Sequence, residues 1–368
     1  MSPTHPSRSR ANWWSEVPIA THNGDIDGFI RRLPKAELHM HLEGSIEAEM
    51  LLELADRNGV TLRWTTPDAV RAAYDFRDLQ EFLDLYYAGC QVLVHERDFY
   101  QITRAYLQRA HDDAVVRAEI FVGLQNYTNR GMPLEPVMNG ILVAMRDAER
   151  ELGISAGLLV IAQRHRSEAE ALQLLDQVMP WAEHIAGFGL GGAERNYPPS
   201  GFTQLFRACR ERGFRVTAHA GEEGPASYVR EALELLHVER IDHGNSCLDD
   251  PALVRELAAR KTPLTVCPLS NVRLQVVPSL AAHKLRAMID AGLCVSLHSD
   301  DPAYFGGYVN ENFIQCRQIL DLSVDDIVTL ARNSLTAAFV PPAEAARHLA
   351  SLDAYVEAYH PTKIPDPV

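Results

Sequence analysis

Eight short apolar runs that alternate with longer helical patterns predict a (β/α)8 TIM barrel, with a helical insertion after the first run and extra C-terminal helices. Two further observations favour this closed form over an open doubly wound sheet. Each candidate chemical residue falls at the C-terminal end of an apolar run, and a barrel gathers those ends into one ring. No linker, internal repeat or low-complexity tract divides the 368 residues, a length that α/β barrels reach as one unit.

The first strand is expected near Glu37–His41, ended by Gly44, with Ser45–Arg57 reading as the helix behind it. Residues 45–111 hold no second convincing strand. Within them LQEFLDLYYAGCQVLV and DFYQITRAYLQRAH carry helical periodicity, which makes this the insertion. Further strands are expected at Val115–Gly123, Ser155–Ala162, Ile185–Leu190, Phe214–Ala218, Arg240–His243, Pro263–Cys267 and Leu293–His298. Helices are expected at about Leu134–Glu151, at Ser167–Met179, and in SYVREALELLH and DPALVRELAARK. From Pro341 the chain reads as terminal helices with a proline-containing tail. Residues 1–24 read as a floppy extension or small lid, and residues 25–368 as a single barrel domain.

Composition narrows the function. With 46% apolar and 23% charged residues a large core is available. A formal net charge of −14 argues against nucleic acid as a partner and suits a small neutral or cationic substrate. The six cysteines show no CxxC or framework spacing, so they read as reduced, buried thiols of a cytoplasmic protein. The N-terminal segment lacks a signal-peptide apolar region, and no stretch reaches the ~18–20 apolar residues of a membrane span. Self-association is compatible with the chain but not specified by it.

The chemistry starts at LPKAELHMHLEGSI. His39 and His41, two apart on a strand, leave on the same face and can grip one metal ion. Such a pair alone is weak evidence. It gains weight from His219 in TAHAGEEGP, His243 in ERIDHGN, and Asp300 and Asp301 in SLHSDDPAYFGG; Glu194 lies just past the fourth run. Three imidazoles and a carboxylate (His39, His41, His219, Asp300) suit one Zn2+ per chain, with Fe2+ or Mn2+ behind it, and leave a position for water. Zinc lowers the pKa of bound water to about 7, which makes a hydrolase the leading class. Glu222, three residues after His219, reads either as a proton donor or as a solvated loop acid. His243 reads as an orienter of water, a further ligand or a core histidine. Asp300 and Asp301, if on a strand, diverge, so that one holds metal and the other meets substrate.

At these residues, and in the motifs PKAELHMHLEG, HAGEEGP, ERIDHG, TVCPLSN and SDDPAYFGGY from about Ile30 to Phe339, the sequence resembles the adenosine/adenine deaminase family of the amidohydrolase superfamily. The resemblance implies a zinc-dependent barrel that converts a purine 6-amino group to a 6-oxo group with release of ammonia. It implies that His39, His41, His219 and Asp300 are zinc ligands and that Glu222 protonates purine N1. It further implies that His243 orients and deprotonates the water, that Asp301 is the acceptor facing N7, and that the Gly192 backbone meets N3. Glu43, in HLEG where adenosine deaminases carry Asp, is expected at the substrate and resembles the adenine deaminase subgroup. Departures in GLGGAERNYPP, at Gly123 and Tyr127, and at His298 keep adenosine, deoxyadenosine or a modified 6-aminopurine as alternatives. A non-catalytic purine-binding protein and an amidase of the superfamily are the readings from other classes.

Overall fold

A computed structural model describes residues 25–359; the expected extension over 1–24 and the end of the proline-containing tail lie outside the described residues. Eight parallel strands pair in sequence order: β1 Lys35–His41, β2 Val115–Val122, β3 Ser155–Gln163, β4 Ile185–Gly191, β5 Arg215–Ala220, β6 Arg240–His243, β7 Pro263–Val266 and β8 Cys294–Leu297. Parallel strands covered on both faces favour apolar residues along their length. β2 is buried at every position, which explains its largely apolar VVRAEIFV wording. The ring closes past the end of β8, where Asp300 N donates to His39 O and His41 N donates to Asp300 O, each at 2.9 Å.

The insertion is helical as expected, with helices Ala48–Asn58, Pro67–Ala72, Leu79–Gly89 and Glu96–Asp112 before β2. From Pro341 the described residues form one terminal helix, Pro342–Ala358, rather than the several expected; Val324–Ala337 before it packs on β8 and β1. Ser167 caps the helix Glu168–Val178 reciprocally with Glu170, so the S-x-x-E spacing places that boundary from sequence.

Three further expectations are corrected. The helix behind β1 starts at Ala48, not Ser45, because Leu42–Ser45 first forms a 3-10 turn in which Ser45 Oγ donates to Leu42 O at 2.7 Å. β5 runs on to Ala220, two residues past its expected end at Ala218, and so carries His219 within the strand. Asp300 and Asp301 lie beyond β8, and Asp300 takes φ 62, a left-handed turn instead of extended strand. No helix among the described residues is long and apolar enough to cross a membrane.

The N-terminal end of the barrel is sealed by charge. Arg240, fully buried at the start of β6, donates to Glu119 Oε2 at 2.8 Å and to Ala337 O at 3.2 Å, and its guanidinium lies 4.2 Å from the Phe339 ring centre. With both terminal nitrogens bonded to acceptors and the guanidinium over a ring, the charge is tolerated inside although Nε has no hydrogen-bond partner among the described residues.

Candidate active site

Four donor atoms converge at the other end. His39 Nε2 and His41 Nε2 from β1 lie 3.1 and 3.2 Å from His219 Nε2 of β5, and Asp300 Oδ1 lies 3.4 and 3.3 Å from the first two. One ion about 2.0–2.2 Å from four such donors holds them about 3.3–3.6 Å apart in a tetrahedron, so the set fits a single divalent cation. Burial, reinforced by His39, holds the His219 imidazole well below its usual pKa, leaving its lone pair free to ligate.

The ligands are aimed from behind. His39 Nδ1 lies 3.0 Å from Thr265 Oγ1, which donates to Asp242 Oδ1 at 2.9 Å; Asp242 Oδ2 takes the Thr217 hydroxyl at 2.8 Å and faces His219 Nδ1 at 3.5 Å. One buried carboxylate thus backs two of the three histidines, turning each Nε2 inward. Ser270 Oγ donates to Asp300 Oδ2 at 2.7 Å, leaving Oδ1 for the centre.

Glu222 and His243 stand beside this set, with His243 Nε2 3.5 Å from Glu222 Oε2 and 3.9 Å from Asp300 Oδ2. Burial first, then Asp300 and Glu194, push Glu222 well above the carboxylate range, so it holds a proton. Its Oε1 has no hydrogen-bond partner among the described residues. Burial and then His39 push His243 down to about 3, so its imidazole is neutral. Glu194 lies outside the cavity wall and acts on the loop instead. Its carboxylate accepts the N–H groups of Gly221, Glu223 and Gly224, each at 2.7 Å, which fixes the segment that carries Glu222.

Asp301 joins the cavity wall with Oδ1 unpartnered, and burial followed by Asp300 raises its carboxyl well above the usual range. Gly192, at φ 91, is also in the wall. Glu43 is not: it sits behind, accepting from Tyr86 Oη at 3.0 Å, Tyr127 Oη at 2.8 Å and Gly123 N at 3.1 Å. Tyr86 and Gly123, whose Oη and N–H Glu43 accepts, do line the cavity.

The cavity above these groups encloses about 520 Å3 of space, part of it open to solvent. One wall is the helix Leu79–Gly89, whose Leu79, Phe82, Leu83, Tyr86 and Tyr87 recur at helical spacing and face the cavity.

The sequence profile of the adenosine deaminase family matches residues 34–355. The chain belongs to the adenosine deaminase family. Among relatives, an adenine deaminase of Rhodopseudomonas palustris is 59% identical over 90% of this chain and 97% of its own length. The crystal structure of an adenine deaminase from Arthrobacter aurescens superposes with a TM-score of 0.87 at 48% identity, covering 88% of this chain and 99% of that one. An amidohydrolase from Burkholderia ambifaria, solved with bound Zn, gives a TM-score of 0.83 at 30% identity over 90% of this chain and 94% of that one.

Within this family framework the structure brings together His39, His41, His219, Asp300, Glu222, His243, Asp301 and Gly192, and leaves Glu43 behind the wall. Sequence reasoning missed Asp242, Thr265 and Ser270 as supports. Asp242 directly precedes His243 within ERIDHG, and a charged residue inside a buried strand is the signal that could have found it.

Proposed function

We propose that this chain catalyses the hydrolytic deamination of a 6-aminopurine, with adenine as substrate and hypoxanthine and ammonia as products. The observation that carries the reading is the placing of four metal-suited donors with Glu222 and His243 beside them in the wall of one cavity. The names of the relatives at 48–59% identity support adenine as the base. The five apolar and aromatic side chains of the helical wall support a planar base as the group held there.

His39, His41, His219 and Asp300 would hold the metal, for which a three-nitrogen, one-oxygen donor set supports zinc. Bound there, zinc supplies a water acidic enough to attack near neutral pH. Glu222 gives its proton to purine N1, which draws electrons from C6. The water oxygen adds at C6, the amino nitrogen takes the proton that water gives up and leaves as ammonia, and the C6 hydroxyl returns a proton to Glu222. Atoms balance as adenine plus water to hypoxanthine plus ammonia. Asp301 faces N7, and the Gly192 N–H meets N3. Six unpaired cysteines support a reducing, cytoplasmic setting.

The test is the ratio of kcat/KM for adenine and adenosine, measured on one preparation of known zinc content. A preference for adenine by about 10²-fold or more is expected, on the scale of a site that rejects an added sugar. A preference for adenosine overturns the substrate assignment.

A further inference from the structure

His243 is backed by a chain of hydrogen bonds whose direction is set at its far end. Leu285 N donates to His283 Nδ1 at 3.0 Å. A backbone N–H only donates, so Nδ1 accepts, and the buried, neutral His283 carries its proton on Nε2. That nitrogen lies 3.1 Å from Asn271 Oδ1, which also receives Asn245 Nδ2 at 2.8 Å. Turning the Asn271 amide over would set its NH2 against both donors. Turning Asn245 as well leaves the clash with His283. The Asn271 oxygen is therefore fixed toward His283 and its NH2 toward His243 Nδ1, 3.5 Å away. An imidazole nitrogen that faces a donor accepts, so the His243 ring proton sits on the opposite nitrogen. That nitrogen, Nε2, faces Glu222 and Asp300 in the cavity.

We propose that Leu285, His283 and Asn271 form a relay that holds His243 in its Nε2–H tautomer, so that His243 meets the reaction as a hydrogen-bond donor, with Asn271 and His283 as positioning residues. The relay is read from hydrogen-bond geometry; its catalytic meaning rests on the deaminase reading above. A donor at this place orients the attacking oxygen and stabilises charge that develops on it. It takes up no proton at Nε2, so the base role expected from the family resemblance does not fall to His243 in this state.

The test is long-range 1H–15N correlation on the zinc-loaded full chain with 15N-labelled histidine near pH 7, His243 being identified by its absence from a His243→Gln sample. The expected spectrum shows His243 protonated at Nε2 and accepting at Nδ1. Protonation at Nδ1 overturns the proposal without recourse to any relay variant. In Asn271→Asp, whose carboxylate only accepts, the proton is expected to move to Nδ1, with kcat falling by about 10²-fold, the scale of a lost donor, and KM changing by less than about threefold. An unmoved tautomer in that variant, or a moved tautomer with undiminished kcat, contradicts the relay's role. Absence of adenine turnover in the unsubstituted chain would sink the proposed function and leave the tautomer result standing.

Discussion

Gly44 and Asp301 pack so closely that a Cβ on Gly44 would lie 2.0 Å from Asp301 Oδ1. The two residues follow β1 and β8, at the seam where the barrel closes through Met40 and Asp300. Asp301 and the metal-suited Asp300 are thus held in place by the absence of one side chain in the HLEG turn. Gly44→Ala should displace Asp301 and lower kcat/KM for adenine by about 10²-fold, the cost of an ångström-scale misplacement. Zinc content measured on the same sample should stay near that of the unsubstituted chain; unchanged kinetics would mean that the turn gives way without cost.

Glu194→Gln replaces a carboxylate that accepts three backbone N–H groups with a group that has one acceptor oxygen. At least one N–H of the loop carrying Glu222 loses its partner, and buried Arg164, 3.9 Å from Glu194, loses its countercharge. A loss of about 1–3 kcal/mol in urea denaturation is expected, the cost of an orphaned buried group. Turnover should fall more than KM rises, because the loop aims the proton donor.

Glu222→Gln should retain metal and slow turnover by about 10² or more, the scale of a lost general acid. The sign of the pH dependence follows from the raised pKa. The protonated form is the active one, so kcat/KM should fall as pH rises through that raised value, and this alkaline limb should vanish in the variant. Stability follows the same linkage: the folded state keeps a proton that the unfolded carboxylate has released, so this residue's contribution falls as pH climbs above the ordinary carboxylate value. Urea midpoints measured against pH should decline less steeply in Glu222→Gln.

His219→Ala removes one of four donors and should lose zinc and activity together. Asp242→Asn leaves the donors in place but weakens the group behind His39 and His219. Zinc affinity should fall by about 10–100-fold in competition with a chelator, the usual cost of losing such support. Unaltered affinity would show that Asp242 serves the core alone.

The strands were legible because burial on both faces favours apolar residues, as in SAGLLVIA, while the buried Arg117 and Glu119 of VVRAEIFV pair with each other. The ligands were legible because HxH on a strand is a spacing rule. What escaped the sequence depended on contact between distant segments. Glu43 reads as a substrate residue until Tyr86 and Tyr127, from two other elements, occupy its carboxylate. The helix after β1 starts late because Leu42–Ser45 forms a 3-10 turn first, and that turn packs its Gly44 against Asp301, more than two hundred residues on. Asp300 at φ 62 was invisible, since no aspartate announces a left-handed turn. Asn271 and His283 read as ordinary polar residues until the fold brings them behind His243.

The most direct test is to incubate the zinc-loaded chain with adenine in H2(18)O and to measure ammonia and the mass of the purine product together. The expected result is one ammonia per hypoxanthine, with one heavy oxygen in each hypoxanthine. Ammonia without labelled product, or unchanged adenine in a sample with one zinc per chain, would contradict hydrolysis at C6 by this site.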